Sequence, residues 1–584
     1  MLHAEKISLK AFWDAVEQRL AACSADELRT ILRAMARETS PSGRQAFLDR
    51  LVPVGETAIG VQQEIEPEKL LADIADLAAE LEEAMKEAPE PEEYYEWGGY
   101  EEEEDIEPYE EFVEPLVELF DRAQAAFDYG NLPLARDAYA ALFELLDQED
   151  EYGRGVRASD LTGVDIGEAC ARYLRAVYET EPPERRPQAL FEQMLQVRSW
   201  VAGARPKLDD LIQISPRPLP DQEQFLADWI AFLRTRSGSD ADTWLREAVR
   251  LSQGTRGLEA LARAEGKTRP RAYLDWFTAL AQEGKNQEVL LAAQEALQTL
   301  PAGLPIRAAI ADHLCAAAER LDRPEALRAG RWEAFLVKPT LARLLDQWEA
   351  TPTGEVRTTL MRQAVEHLRY CLAHPPSRQV EAWPGEDDLE RPVWVGKSVL
   401  AHACLLAEDF RAAHQLAIGE KVLGWSSGDN PQGLVVPFFL VLLSGKAPGA
   451  LPPNLARLWE WGLQSSIGFW FGGRESEESL LKRLERAYKE QLARVSLDRE
   501  RQEEFLSWCL DVAKRRVDAI VGNQHRKSYD KAAVLAAACA EVLRLRGDRG
   551  AASSLVDDIR NRFPRHRAFQ AELNAAVQRA GAGL

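Results

Sequence analysis

The stretch that most constrains this chain runs from residue 116 to residue 146. Leu119, Ala123 and Phe127 fall on one face of a helix, Gly130 ends it, and Ala135, Tyr139 and Leu142 return at the same spacing. Ala123 and Ala135 are small enough for two backbones to cross closely. Gly130 can take the left-handed conformation that closes a helix, and Leu132 adds an apolar contact over the turn. Such a hairpin leaves apolar faces uncovered. It has to stack on neighbours, so a chain built of these units is expected to fold as an all-α helical-hairpin solenoid that offers a long surface to another molecule.

The remainder of the sequence agrees with that expectation. Few segments alternate as a half-buried strand must, so strands should be scarce among the 584 residues. The seven cysteines (Cys23, Cys170, Cys315, Cys371, Cys404, Cys509, Cys539) are scattered singly with no CxxC pair, the usage of buried thiols in a reducing compartment. The first twenty residues are charged and amphipathic, unlike a signal peptide, and the longest apolar run, 434–443, is broken by Pro437 and spans about half a bilayer. A cytoplasmic protein without a cofactor is expected.

Charge divides the chain unevenly. Residues 1–150 carry 38 Asp and Glu against 12 Lys and Arg, whereas the other 434 carry 58 against 59; nearly all of the net charge of -25 therefore lies at the N-terminal end. Between residues 80 and 111 there are sixteen acidic side chains and one basic one, Lys86, interleaved with aromatics and broken by Pro and Gly. That composition predicts a tether, and Tyr94, Tyr95, Trp97, Tyr100, Glu101 and Glu102 are its candidate docking residues for a basic groove. The opposite charge gathers near the C-terminus. Lys514, Arg515 and Arg516, then Asn523, His525, Arg526 and Lys527 in a short loop, then Arg562, Arg565 and Arg567 one hairpin later, make a candidate partner-binding face for a carboxylate-rich peptide. Nucleic acid is disfavoured there, because the acidic chain repels it at long range.

In order, the chain divides into a small N-terminal helical module (1–55), a helix followed by the acidic tether (56–111), a first solenoid half (112–375), a connecting loop rich in proline (376–393) and a second half with the basic face (394–584). The units beginning near residues 116, 273, 395 and 536 resemble tetratricopeptide repeats in their small, small, Gly and Pro positions, without the full Trp, Leu, Gly, Tyr set of the first helix. More loosely, the acidic Tyr-rich segment, the hairpins and the segments VDAIVGNQHRKSYD (517–530) and FPRHRAF (563–569) resemble the helical region that follows SWIM zinc fingers in some bacterial proteins; the finger itself is absent. These resemblances imply a superhelical binding surface.

Local motifs for chemistry are sparse. Gly396, Lys397 and Ser398 match the end of a phosphate-binding loop, but Arg391 stands where its first glycine belongs. Cys371, His374, His402 and Cys404 could hold zinc only if their helices packed together, and buried thiols with surface histidines is the preferred reading. The expected function is a non-enzymatic protein-binding scaffold or adaptor, with another protein or an acidic peptide as partner and no membrane. The alternatives are a regulatory protein, an inhibitor or protease-cleaved substrate in bacterial signalling or defence, and a nucleic-acid-associated protein.

Overall fold

The computed structural model describes residues 67–87, 109–352, 354–376, 392–427, 429–467 and 476–581, with Arg19, Cys23, Ser24 and Leu32 besides. The N-terminal module and the docking residues Tyr94, Tyr95, Trp97, Tyr100, Glu101 and Glu102 lie outside the described residues. Every regular element among the described residues is helical, and sequential helices pack as antiparallel neighbours, the expected all-α helical-hairpin solenoid class. The chain divides into two compact units, Met1–Ala264 and Glu265–Leu584.

The first unit holds α1 (Pro67–Glu87), α2 (Val113–Asp128), α3 (Leu132–Leu146), α4 (Ile166–Thr180), α5 (Arg186–Trp200), α6 (Leu208–Gln213), α7 (Gln222–Arg234) and α8 (Ser239–Glu265). Its opening hairpin matches the sequence reading: Ala123 and Ala135 are fully buried where α2 and α3 cross. The short α6 escaped the sequence reading because six residues give no period. It is held instead by Glu247 on α8, whose carboxylate accepts from the amides of Leu208 and Asp209.

In the second unit α9 (Arg271–Gln282), α10 (Asn286–Thr299), α11 (Arg307–Arg320), α12 (Pro324–Val337), α13 (Leu341–Ala350) and α14 (Glu355–Ala373) follow one another, each against the last. Then come α15 (Lys397–Leu406), α16 (Phe410–Ile418), α17 (Gln432–Ser444), α18 (Pro453–Ile467), α19 (Glu477–Leu492), α20 (Arg499–Gly522), α21 (Tyr529–Leu545), α22 (Arg549–Arg562) and α23 (Arg567–Arg579). α14 and α15, on either side of the expected boundary at 376–393, pack together, and by compactness the chain divides at residue 264. A proline-rich composition marks a loop, but only packing tells whether a loop joins two bodies.

One turn recurs through both units. Gly130, Gly284, Asp322, Glu408, Gln524 and Gly547 each take a positive φ just past a helix end. The next amide then closes on a carbonyl five residues earlier: Asn131 to Ala126 at 2.9 Å, Lys285 to Leu280 at 2.9 Å, Arg323 to Ala318 at 2.8 Å, Asp409 to Cys404 at 2.9 Å, His525 to Ile520 at 2.9 Å and Asp548 to Leu543 at 3.0 Å. This is the Schellman closure, which satisfies an orphan carbonyl and reverses the chain in a fixed direction. Where the closing residue is Asn131, Asp409 or Asp548, its side chain also caps the next helix through the amides of Leu134, Ala412 and Ala551.

The C-terminal part of the second unit departs from simple stacking. α17 and α21 are apolar around most of their circumference, with 434–441 and 532–540 wholly buried, and a helix apolar on all sides must be enclosed. α21 is packed by α17, α18, α20, α22 and α23. Two polar networks serve this core. Glu541 on α21 accepts from the amides of Asn454 and Leu455 and from the Asn454 side chain, fixing the start of α18. Fully buried His402 on α15 meets Tyr488 Oη at 2.7 Å and Ser466 Oγ at 3.0 Å, and burial pushes its pKa from 6.5 down to about 3.

Two predictions follow from these features. The six turns differ in how well their residues suit a positive φ, so Gly284→Ala, which has no atom within 4 Å of the added Cβ, should cost about 1 kcal/mol through backbone strain alone. Glu408→Gly should stabilise by a similar amount, read from urea melts. For His402, the native state holds the ring neutral while the unfolded chain takes up a proton below pH 6.5, so stability is full above 6.5 and is lost as pH falls towards 3. Between pH 7 and pH 5 the wild type should lose about 2 kcal/mol more than His402→Gln does, measured in the same melts.

Candidate functional site

A cavity of about 760 Å³ in the second unit lies where α18, α19, α20 and the start of α21 meet the segment that leads into α17. That segment is pinned by amides. The Asn430 side chain donates to the carbonyls of Lys421 and Leu423 at 2.6 and 3.0 Å, and buried Gln432 donates to those of Ala417 and Glu420 at 2.9 and 3.1 Å. Trp425 is thereby laid against Gly433, where an added Cβ would stand 3.1 Å from the Trp425 carbonyl. Gly462 on α18 permits a second close approach, 2.9 Å from its would-be Cβ to the Gly433 carbonyl, which Pro437 leaves without its helical donor.

The wall is mainly apolar, with Leu458, Ile467, Leu481 and Ile520 beside the indoles of Trp425 and Trp461. Its cations are Arg516 on α20 and Lys531 on α21, with His525 at the turn between them. Trp461 is faced by Arg457 at 4.6 Å, which also reaches Asp530 at 3.6 Å. Glu478 is the acidic residue of the lining, and Lys482 pairs with it at 2.6 Å.

Arg516 is the unusual member. The chain buries eight arginines among the described residues, and seven of them have a carboxylate: Arg172 with Glu168, Arg175 with Glu179, Arg186 with Asp221, Arg246 with Asp242, Arg307 with Glu333, Arg343 with Asp312 and Arg357 with Glu490. Arg516 has none. It donates to the Val422 carbonyl and its guanidinium carbon sits 4.1 Å from the Trp425 ring centroid. Burial alone pulls its pKa from 12.5 to about 10, with no anion to oppose the shift. A desolvated cation–π contact contributes about 2 kcal/mol, against several kcal/mol for taking an ion out of water. Beside it, the Trp425 Nε1 hydrogen is buried without an acceptor.

The basic face expected from the sequence is only partly assembled. Lys514, Arg515 and Arg516 are consecutive on α20 and therefore fan out by about 100° each. Lys514 is exposed, and Arg515 pairs with Asp511 at 2.9 Å beside a separate shallow cavity that includes His414 and Trp508. Arg562 pairs with Asp518 at 2.7 Å, so two of the expected cations are neutralised by carboxylates elsewhere on α20. Asn523 spends its amide on the Ala519 carbonyl at 2.8 Å. Arg526 and Lys527 are exposed in the turn, and Arg565 and Arg567 are exposed at the α22–α23 junction. The structure brings Arg516 and His525 of the expected set to one cavity. It adds Trp425, Trp461, Ser528 and Lys531, of which Ser528 lies in the segment 517–530 singled out in the sequence.

The weaker motifs resolve plainly. The amide of Lys397 donates to Asp429 at 2.9 Å and its ammonium reaches Glu420 at 2.5 Å, so the chain's own carboxylates occupy the place a phosphate would take. Cys371 meets His367, His374 turns to the Tyr370 carbonyl and His402 is enclosed in the core; among the described residues no group of three potential metal ligands converges. No helix among the described residues is long and apolar enough to cross a membrane. Comparison with known proteins finds no matching family model and no matching curated protein.

The uneven pairing of the buried arginines predicts unequal substitutions. Arg307→Met strands Glu333 and the carbonyls of Leu297 and Leu300, and should cost about 3 kcal/mol. Arg516→Met exchanges an uncompensated ion for an apolar chain of similar length and should change stability by less than about 1 kcal/mol, or raise it. Calorimetric melts of the two variants check this.

Proposed function

We propose that this protein is a non-enzymatic, cytoplasmic protein-binding scaffold of the tetratricopeptide-like kind, and that it holds a segment of its partner in the cavity of the second unit. The observation that carries the reading is the make-up of that cavity. Two indoles, an aliphatic wall and cations from two helices converge there, and aromatic and arginine side chains in a concave, partly desolvated seat are the groups that dominate protein recognition. A volume of about 760 Å³ admits a few residues of an extended chain. The seven cysteines form no disulfide in the structure, which suits a reducing compartment.

The test is site-directed photocrosslinking in the cells that make the protein. A benzoylphenylalanine at Ser465, on the cavity wall, should give a discrete protein adduct that is absent from the same probe at exposed Arg549 and lost when Trp461→Ala is added. No adduct from Ser465, or the same adducts from both positions, overturns the reading.

A further inference from the structure

The cavity has a polarity that narrows what can enter it. Arg516 is nine-tenths buried, lines the cavity, and alone among the buried arginines of the described residues lacks a carboxylate. A guanidinium has five N–H donors in a planar fork, and the Val422 carbonyl and the Trp425 face leave that fork incompletely used. Lys531 and His525 add donors on the same wall, while the acidic Glu478 is occupied by Lys482. Around these the surface is aliphatic and indole.

We propose that the cavity takes a peptide carboxylate on Arg516, with an adjoining large apolar side chain of the same peptide against Trp425, Trp461 and Leu458. This rests on the scaffold reading and names the chemistry of its partner. A carboxylate is planar and singly charged, so it matches both the fork and the single buried cation; a phosphate brings more charge than one buried guanidinium compensates. A nucleic acid strand meets a chain of net charge -25 and an aliphatic wall. The seven paired arginines show what the chain itself places beside a buried guanidinium, and the eighth position is left for a carboxylate from outside.

The carboxylate can come from an Asp or Glu side chain or from a chain end, and the experiment separates the two. The full-length protein is immobilised and challenged with N-acetylated hexapeptide pools, random without Asp or Glu at five positions, with Glu or Gln at position four and the C-terminus either free or amidated. A decamer of single-stranded DNA is the comparison. Pools containing a carboxylate should be retained about tenfold over the Gln amide pool, the scale of one charge-assisted fork. Sequencing of the retained peptides should show Leu, Phe, Tyr or Trp beside the carboxylate. A preference for Glu amide over Gln amide assigns a side chain, and a preference for free over amidated ends assigns a terminus. The discrimination should vanish in Arg516→Met and persist in Arg515→Met, whose arginine pairs with Asp511 outside the cavity. If Arg516→Met fails to fold, Arg516→Lys, which keeps the charge and loses the fork, should reduce the discrimination at least threefold. Equal retention of all four pools, discrimination undiminished in the Arg516 variant that folds, or stronger retention of the DNA overturns the proposal. A Ser465 crosslink that persists beside equal retention would leave the scaffold reading standing and this inference refuted.

Discussion

The interaction that sets the clearest hairpins is a single backbone hydrogen bond, found at one turn of the first unit and five of the second. An amide just past the turn returns to a carbonyl five residues back, and the bond forms only if the intervening residue adopts a left-handed conformation. Because the bond fixes the exit direction of the chain, the following helix starts antiparallel to the preceding one and within reach of its apolar stripe. Side-chain packing then adds the bulk of the stability, but the turn selects which packing is available.

The same turn explains how far the sequence could be read. At Gly130, Gly284 and Gly547 the conformational requirement is written in the residue type, and the hairpins there were legible with their crossing alanines. At Glu408 and Gln524 it is met by residues with no special propensity, and at Asp322 by one that tolerates it without announcing it, so the turn must be inferred from the helices on either side. The short α6 had no period to reveal it. The enclosure of α17 and α21 was foreshadowed by their nearly continuous apolar sequence, yet which helices enclose them depends on long-range packing that no local pattern encodes. The boundary expected at 376–393 was read from proline content, which reports loops, whereas the compactness that divides the chain at residue 264 is a property of contacts.

The candidate site was half legible. A run such as Lys514, Arg515, Arg516 looks like one basic patch in a sequence, but a helix distributes three consecutive residues to three directions. One goes to solvent, one to Asp511 and one into the cavity beneath Trp425. The burial of that third residue, and the absence of an acid beside it, emerge only in three dimensions. Buried arginine is a general device in this protein for tying helix ends together, since Arg175, Arg307 and Arg357 each collect backbone carbonyls along with their carboxylate. Arg516 uses the same device with its anionic component missing, which is why the site stands out against the chain's own practice.

The enclosure of α17 also bears on how the chain is made. α17 ends at Ser444, and α21, which covers part of it, is complete only at Leu545. Some 100 residues must be synthesised in between, which at roughly 5–20 residues per second takes on the order of 10 s. Throughout that interval α16 and α18 can already pack on α17, but the faces that α20 and α21 cover stay open. The earlier hairpins can close as they emerge, each on its predecessor, whereas the enclosure of α17 is completed only when α21 is available. A nascent-chain chaperone therefore has a defined window of need in this protein, opening when α17 leaves the exit tunnel and closing when α21 reaches it.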